Sequence, residues 1–403
     1  MRWLQTTMGE VCLPTVQKDP SRNGAGSFRY IDISGIDREQ KSISRFDPIP
    51  CEDAPSRARK LVQAGDVLVS TVRPNLNAVA LVPEELDGEI ASTGFSVLRA
   101  NPKLVNSRYL FYRAQHHEFI DFLVANATGA SYPAVTDGVV RRAPLPLPAL
   151  NEQHRIVEIL EEADQLRRLR REANAKAARI LPALFLKMFG DPAANPKRLR
   201  KEPLGKLIRV KSGNFLPAKD MDKKGTYPVY GGNGINGFHD EYMFEERKIV
   251  LGRVGAYCGV VHYSDRNAWI TDNALYVADK FEPLDDRYLV AALDLANLNQ
   301  YAGRAGQPLI SGSRIYPIEI LVPLEEAQLI FASSASKLLG LDDYREKAKA
   351  QLDQLWDVLM TQAFSGQLTA KWRKTHSKEL LAEMEQQARL LNLPLPKELK
   401  LAP

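Results

Sequence analysis

The sequence predicts an α+β chain in which two tandem mixed domains are each followed by a long helix. Three observations predict it. Blocks of residues occur twice in the same order, two long stretches carry a narrow apolar stripe at helical spacing, and short apolar runs between them have strand character. At 403 residues the chain exceeds one ordinary domain. With 44% hydrophobic and 26% charged residues it has enough apolar material for more than one core.

The repeat justifies the duplication. VLVSTVRPNLNAV (67–79) aligns with IVLGRVGAYCGVV (249–261), so that Val72 matches Val254 and Val79 matches Val261. Arg108-Tyr109-Leu110 recurs as Arg287-Tyr288-Leu289, and GASYPAVTDGVV (129–140) is echoed by GQPLISGSRI (306–315). Pro148 and Gln153 match Pro323 and Gln328, and Leu184 and Phe189 match Leu359 and Phe364. The offset between copies shrinks gradually, as it does when loops gain or lose residues, and the block order never changes. The implied organisation is a first domain at 1–148, a long helix at 149–190, a second domain at 191–323, a second long helix at 324–366, and a charged tail at 367–403.

The helices follow from composition and period. The segment 151–189 is rich in Ala, Leu, Glu and Arg. Asn151 can cap it just after Pro146 and Pro148. Its stripe runs Ile156, Leu160, Ala163, Leu166, Ala173, Ala177, Ile180 and Leu184. In the second helix, at about 325–363, the stripe is Leu338, Leu341, Tyr344, Ala348, Leu352, Leu355 and Leu359. Helices of this length run roughly 57 Å. A stripe so narrow on so long a helix calls for a helical partner, and antiparallel pairing of the two would place a domain at each end about an approximate two-fold axis. Pro182 predicts a kink or restart. GDPAANPKRLRKEPLGK (190–206) reads as a linker, and the tail as a short helix with a loose end.

Within the domains, strands are expected at 67–72, 78–82, 95–98, 249–254, 258–263 and 274–278, and helices at 107–125 and 286–302. The loops hold polar groups suited to nucleic acid. In the first domain these are Ser70, Thr71, Arg73, Asn75, Asn77, Ser131 and Tyr132. The second domain offers Lys211, Tyr230, Asn233, Asn236, Arg253, Gln307 and Arg314. Asn and Gln match adenine edges, Arg matches guanine, and Lys suits phosphates. YPVYGGNGINGF (227–238) reads as a Gly-rich turn.

Other classes are poorly served. Cys12, Cys51 and Cys258 form no C-x-x-C pair, which points to a reducing cytoplasm and away from thiolate metal sites. No apolar run suggests a membrane span. There is no Walker motif, no N-P-P-Y motif and no metal spacing among the six histidines. No catalytic residue, cofactor or metal is therefore expected. A net charge of +5 permits a nucleic-acid partner without requiring one.

The pattern resembles the specificity subunit of Type I restriction–modification systems. The segments that carry the likeness are GDVLVSTVRPN (65–75), APLPLPALNEQHRIVEIL (143–160), YPVYGGNGINGF (227–238), GQPLISGSRIYPIEILVPLEEAQ (306–328) and AFSGQLTAKWR (363–373). The resemblance implies two target-recognition domains reading a split sequence in double-stranded DNA, with two antiparallel helices as the spacer. It also implies assembly with two methyltransferase subunits and with restriction subunits, which would carry the catalysis. Gln153, Ile156, Leu160, Gln328, Leu338 and Leu352 are the helix positions assigned to those partners. The second helix opens LEEAQ where the first has LNEQH, a departure that predicts a different partner contact there. A helical protein-interaction scaffold and an enzyme with an unfamiliar site are the competing readings.

Overall fold

A computed structural model describes residues 2–23, 26–221, 225–303 and 307–394. It divides into two compact units, Met1–Arg170 with Lys349–Pro403, and Arg171–Ala348. Both divisions fall within the long helical stretches, so each unit holds one mixed domain and part of both stretches.

The two domains share a strand plan. In the first unit an antiparallel sheet runs Cys12–Leu13, Phe95–Ala100, Val67–Ser70, Val79–Leu81. The second unit has Ile208–Ser212, Ala274–Lys280, Ile249–Gly252, Val261–Tyr263 in the same order. A second sheet in each contains one parallel pair. Ser27–Ile31 lies beside Ile90–Ser92 in the first unit, and Tyr227–Gly231 beside Trp269–Ile270 in the second. The segment expected as a Gly-rich turn is thus a hairpin, Tyr227–Gly231 with Gly234–His239. Only its tip is a turn, because apolar Val229 and Tyr230 face the core.

A two-strand ribbon closes each domain. Leu4–Thr7 pairs with Pro144–Leu147, and Arg200–Pro203 pairs with Glu319–Val322. The expected linker at 190–206 therefore contains a strand. Prolines are tolerated in it because a two-strand ribbon is all edge.

The expected helices start at capping residues. Asn106 accepts from the N–H groups of Arg108 and Tyr109, and Asp285 from those of Arg287 and Tyr288. The stretch 107–125 divides at His116, whose backbone is extended, into Ser107–Gln115 and His117–Ala125. Its counterpart ends at Leu295.

The long helices are docked by a buried glutamine in each unit. Gln153 accepts the Asn106 N–H at 2.8 Å, and its amide donates to the carbonyls of Leu104 and Pro148. Gln328 accepts the Asp285 N–H at 3.0 Å and donates to the Pro323 carbonyl. The far ends of the helices dock crosswise. Phe364, from the second helical stretch, packs on Tyr109 in the first unit, and Phe189, from the first stretch, packs on Tyr288 in the second. Both tyrosines are buried and donate to a ribbon carbonyl, of Pro146 and Leu321 respectively.

The first stretch comprises Leu150–Ala178 and Ile180–Phe189, interrupted at Arg179. Pro182 explains the interruption, since it cannot donate to the Ala178 carbonyl one turn back. The second stretch comprises Glu325–Gly340 and Asp342–Ser365. Within the first unit, Glu152 meets Thr369 and Arg373 while Arg167 meets Asp353, so the two segments there run antiparallel. Only part of the apolar stripe read from the sequence is buried here: Ile156 and Leu160 lie in the first unit's core and Leu359 packs against it. Leu166 and Leu355 are exposed, whereas Arg167, Asp353 and Trp356 are half-buried, with the Arg167 guanidinium 4.8 Å from the Trp356 ring centre. Ile180, Leu341 and Tyr344 in the second unit are exposed as well. The stripe was assigned by residue type, and an arginine whose stem and fork pack on tryptophan occupies part of the seam instead.

The tail is more structured than a loose end. Helix Ser377–Leu391 buries Leu380, Met384 and Ala388 in the first unit's core, one face at spacing of four. Gln387 donates to the same Leu104 and Pro148 carbonyls as Gln153. The end of the expected tail, 395–403, lies outside the described residues. Glu152 is wholly buried and accepts from the Trp3 indole, the Thr369 hydroxyl and the Arg373 guanidinium, the last two at 2.6 Å. No helix among the described residues is long and apolar enough to cross a membrane.

Two substitutions probe this docking by urea unfolding. Gln153→Ala strands the Asn106 N–H in the interior and is expected to cost about 2–3 kcal/mol. Arg373→Met leaves the Glu152 carboxylate buried without its cation and is expected to cost about 3–5 kcal/mol.

Candidate nucleic-acid interface

In the first unit two loops are sewn together. The Arg73 N–H donates to the Pro133 carbonyl at 2.7 Å, the Val135 N–H donates to the Thr71 carbonyl at 2.9 Å, and Val72 bridges Ala134. The short turn Pro74–Leu76 is bracketed by Arg73 and Asn77, both left-handed at φ 49°. Asn77 is fixed further: its amide donates to the Gln115 carbonyl and its own carbonyl accepts from the Lys41 ammonium at 2.5 Å. Burial, then the nearby Arg167 and Arg38, pull Lys41 down to about 8.

The expected residues divide accordingly. Arg73, Asn75, Ser131 and Tyr132 are exposed at the sewn edge, with the Arg73 guanidinium 4.4 Å from the Tyr132 ring centre. Ser70 and Thr71 are buried, donating to the carbonyls of Val72 and Gly94, and Asn77 is half-buried, its amide donating to the Gln115 carbonyl at the end of helix Ser107–Gln115. These three shape the edge from inside and do not line a binding surface.

The second unit has the same stitch. The Gly255 N–H donates to the Pro308 carbonyl, the Ile310 N–H donates to the Arg253 carbonyl, and Val254 bridges Leu309. Gly255 takes the left-handed place of Arg73, at φ 76°. Gln307 is exposed at the place of Tyr132, and Asn233 at the hairpin tip, with Asn236 and Lys211 exposed nearby on the same loops and strands. Gly232 at that tip approaches the Val254 and Asn273 carbonyls, which brings the hairpin to the stitched loops. Arg253 is half-buried and donates to the Ser212 hydroxyl and the Asp272 carbonyl. Tyr230 departs from the expectation. It is buried, and its hydroxyl bonds Asp265, because it lies on the inner face of its strand. Arg314 is exposed but lines a different cavity, of about 480 Å³, with Lys201 and Tyr301.

The partner positions also need correction. Gln153, Ile156, Leu160 and Gln328 are buried within this chain and serve its own packing. Leu338 and Leu352 are half-buried. Lys41 was missed by the sequence reading, which had set Gly255 opposite Arg73. Gly255 was legible, since it aligns with Arg73 and glycine tolerates positive φ, whereas nothing local marks Lys41.

Comparison with known proteins places this geometry. A family model for the Type I restriction modification DNA specificity domain matches twice, at residues 8–178 and 196–354. The chain belongs to that family. Among curated relatives it is 28% identical over 175 residues to the Type I restriction enzyme HindI specificity subunit of Haemophilus influenzae, covering 43% of this chain and 38% of the relative. It is 27% identical over 142 residues to the EcoprrI specificity subunit of Escherichia coli, covering 34% of this chain and 35% of that protein. The matched segment thus spans little more than a third of either relative. A structure from work on complex assembly and conformational transition of the type I R-M system superposes with TM-score 0.58 at 28% identity, covering 91% of this chain and 98% of that one. The S subunit from M. genitalium, at 16% identity and TM-score 0.55, shares the fold.

One cluster in this specificity chain has the look of a metal site. His116, His117 and Glu118 bring potential ligand atoms within 4.8 Å of one another. Arg113 already occupies the centre, bonding His116 Nδ1 at 3.0 Å and Glu118 at 2.8 Å, so a cation is in place without a metal. Burial and the Arg113 charge push His116 down to about 4. A histidine held below its unfolded value of about 6.5 stabilises the fold above that pH and loses its contribution as pH falls toward 4. The melting temperature of the wild type should therefore drop across that window, and His116→Asn should flatten part of the drop. An identical pH profile in the variant would contradict the assignment. Tyr230→Phe should lower stability by about 1 kcal/mol without altering DNA selectivity, measured by melting and by duplex binding.

Proposed function

We propose that this chain is the DNA-reading subunit of a Type I restriction–modification complex and that each unit reads one half of a bipartite target. The domain limits are those given above, 1–148 and 191–323. The observation that carries the reading is the shared stitch. Two loops are locked in the same backbone geometry in both units, yet they present Arg73 and Tyr132 in one and Gly255 and Gln307 in the other. A duplicated reader with different side chains at equivalent places recognises two different half-sites, and the helices fix the gap between them. Exposed Lys211, Asn233 and Asn236 add phosphate and base-edge donors in the second unit.

The chain supplies selectivity and leaves chemistry to its partners. Two methyltransferase subunits and the restriction subunits dock on the exposed faces of the helical stretches, where Leu166, Leu169, Leu355 and Val358 in the first unit and Leu324, Leu329 and Ile330 in the second are left uncovered by this chain. The work on complex assembly behind the 28% identical structure supports that reading.

The test is long-read mapping of adenine methylation in cells carrying the chain with its methyltransferase partner, against cells lacking only the chain. A split motif that vanishes without the chain is the expected result, and unchanged methylation would refute the proposal. Replacing 1–148 with the corresponding domain of a relative should change one half-site and leave the other intact.

A further inference from the structure

We infer that Arg73, clamped on Tyr132, is the residue that selects a guanine in the half-site read by the first unit. The inference rests on the DNA-reading proposal above and assigns its chemistry at one position. The argument starts from the backbone. A non-glycine residue at φ 49° sits in a sparsely populated backbone conformation and persists only where its surroundings over-determine it. Here they do. The Arg73 N–H is held by the Pro133 carbonyl, and the far end of the turn is held by Lys41 and Gln115 through Asn77. At the equivalent place the second unit carries glycine, which adopts positive φ readily. The arginine is therefore retained against a local preference that its own repeat satisfies with glycine.

The side chain is placed with equal definition. Arg73 is exposed and has no carboxylate partner among the described residues, and its guanidinium lies over Tyr132, which is itself 68% exposed. Stacking fixes the plane of the guanidinium and leaves its edge donors free. A phosphate contact needs charge and little orientation, and a lysine on a flexible stem suffices. A planar fork with free donors on a rigid loop matches the O6 and N7 acceptors that guanine presents in the major groove. Tyr132 orients the fork and is a positioning residue. At the equivalent places the second unit has Gln307 for Tyr132 and Gly255 for Arg73, neither of which carries a guanidinium.

The experiment maps methylation motifs in cells carrying the chain with its methyltransferase partner, comparing wild type with Arg73→Ala, Arg73→Lys and Tyr132→Phe. Absence of any split motif in the wild type would sink the DNA-reading proposal itself. Given a split motif, one half-site should contain a guanine at which Arg73→Ala loses selectivity by about 10- to 100-fold, the other half-site staying unchanged. Arg73→Lys should lose selectivity at the same guanine while keeping general affinity, and Tyr132→Phe should keep the full motif. Uniform weakening at every position with the guanine preference intact would make Arg73 a phosphate contact and overturn the inference. So would full selectivity in Arg73→Lys, which also covers the case in which Arg73→Ala yields no folded chain.

Discussion

Everything in each unit is organised around one buried amide. A glutamine at the start of a long helix satisfies backbone groups from two other elements: the N-cap residue of the domain helix and the proline segment that ends the ribbon strand. Those groups would otherwise be orphaned inside the core, and an unsatisfied buried amide costs more than a made bond returns. The glutamine thus fixes where the long helix leaves its domain. In the first unit the C-terminal helix adds a second amide, from Gln387, to the same two carbonyls, and Glu152 ties Trp3, Thr369 and Arg373 beside them. The second unit has Ala327 and Leu324 at the places of Glu152 and Ala149, and Leu324 is exposed. The duplication is therefore faithful in the docking glutamine and divergent in the residues beside it.

The crosswise aromatic contacts complete the logic. Each domain buries the tyrosine of its own Arg-Tyr-Leu block against a phenylalanine from the end of the other copy's helix. A repeat assembled this way is not two independent beads. Neither domain core is finished without a segment that the chain contributes from the other copy.

Rigidity of the stitched edge has the same physical root as that docking. Loops generally carry function because the surface tolerates their polar backbone, but selectivity needs them held still. In both units the stitching hydrogen bonds come from backbone groups, so the side chains are free to differ. Polar residues that seemed suited to contact nucleic acid, Ser70, Thr71 and Asn77, turn out to be what holds the edge in place. Recognition and scaffolding draw on the same residue types, and only the hydrogen-bond partners separate them.

The sequence by itself determined the duplication, the mixed class, the two long helices and the family. These depend on residue order and on local period, which survive without knowledge of contacts. It pointed to the two stretches that the fold stitches together and named Arg73, Tyr132 and Gln307 among several equivalent-looking neighbours. Only the tertiary structure decided which of those neighbours face inward, since a buried tyrosine such as Tyr230 and an exposed one such as Tyr132 are alike in a polar loop. It also interrupted the apolar stripe with an Arg167–Trp356 contact, placed a strand in a proline-rich linker and seated the tail helix in a core. Each of these depends on long-range pairing, in which a residue's role is set by what the fold brings against it.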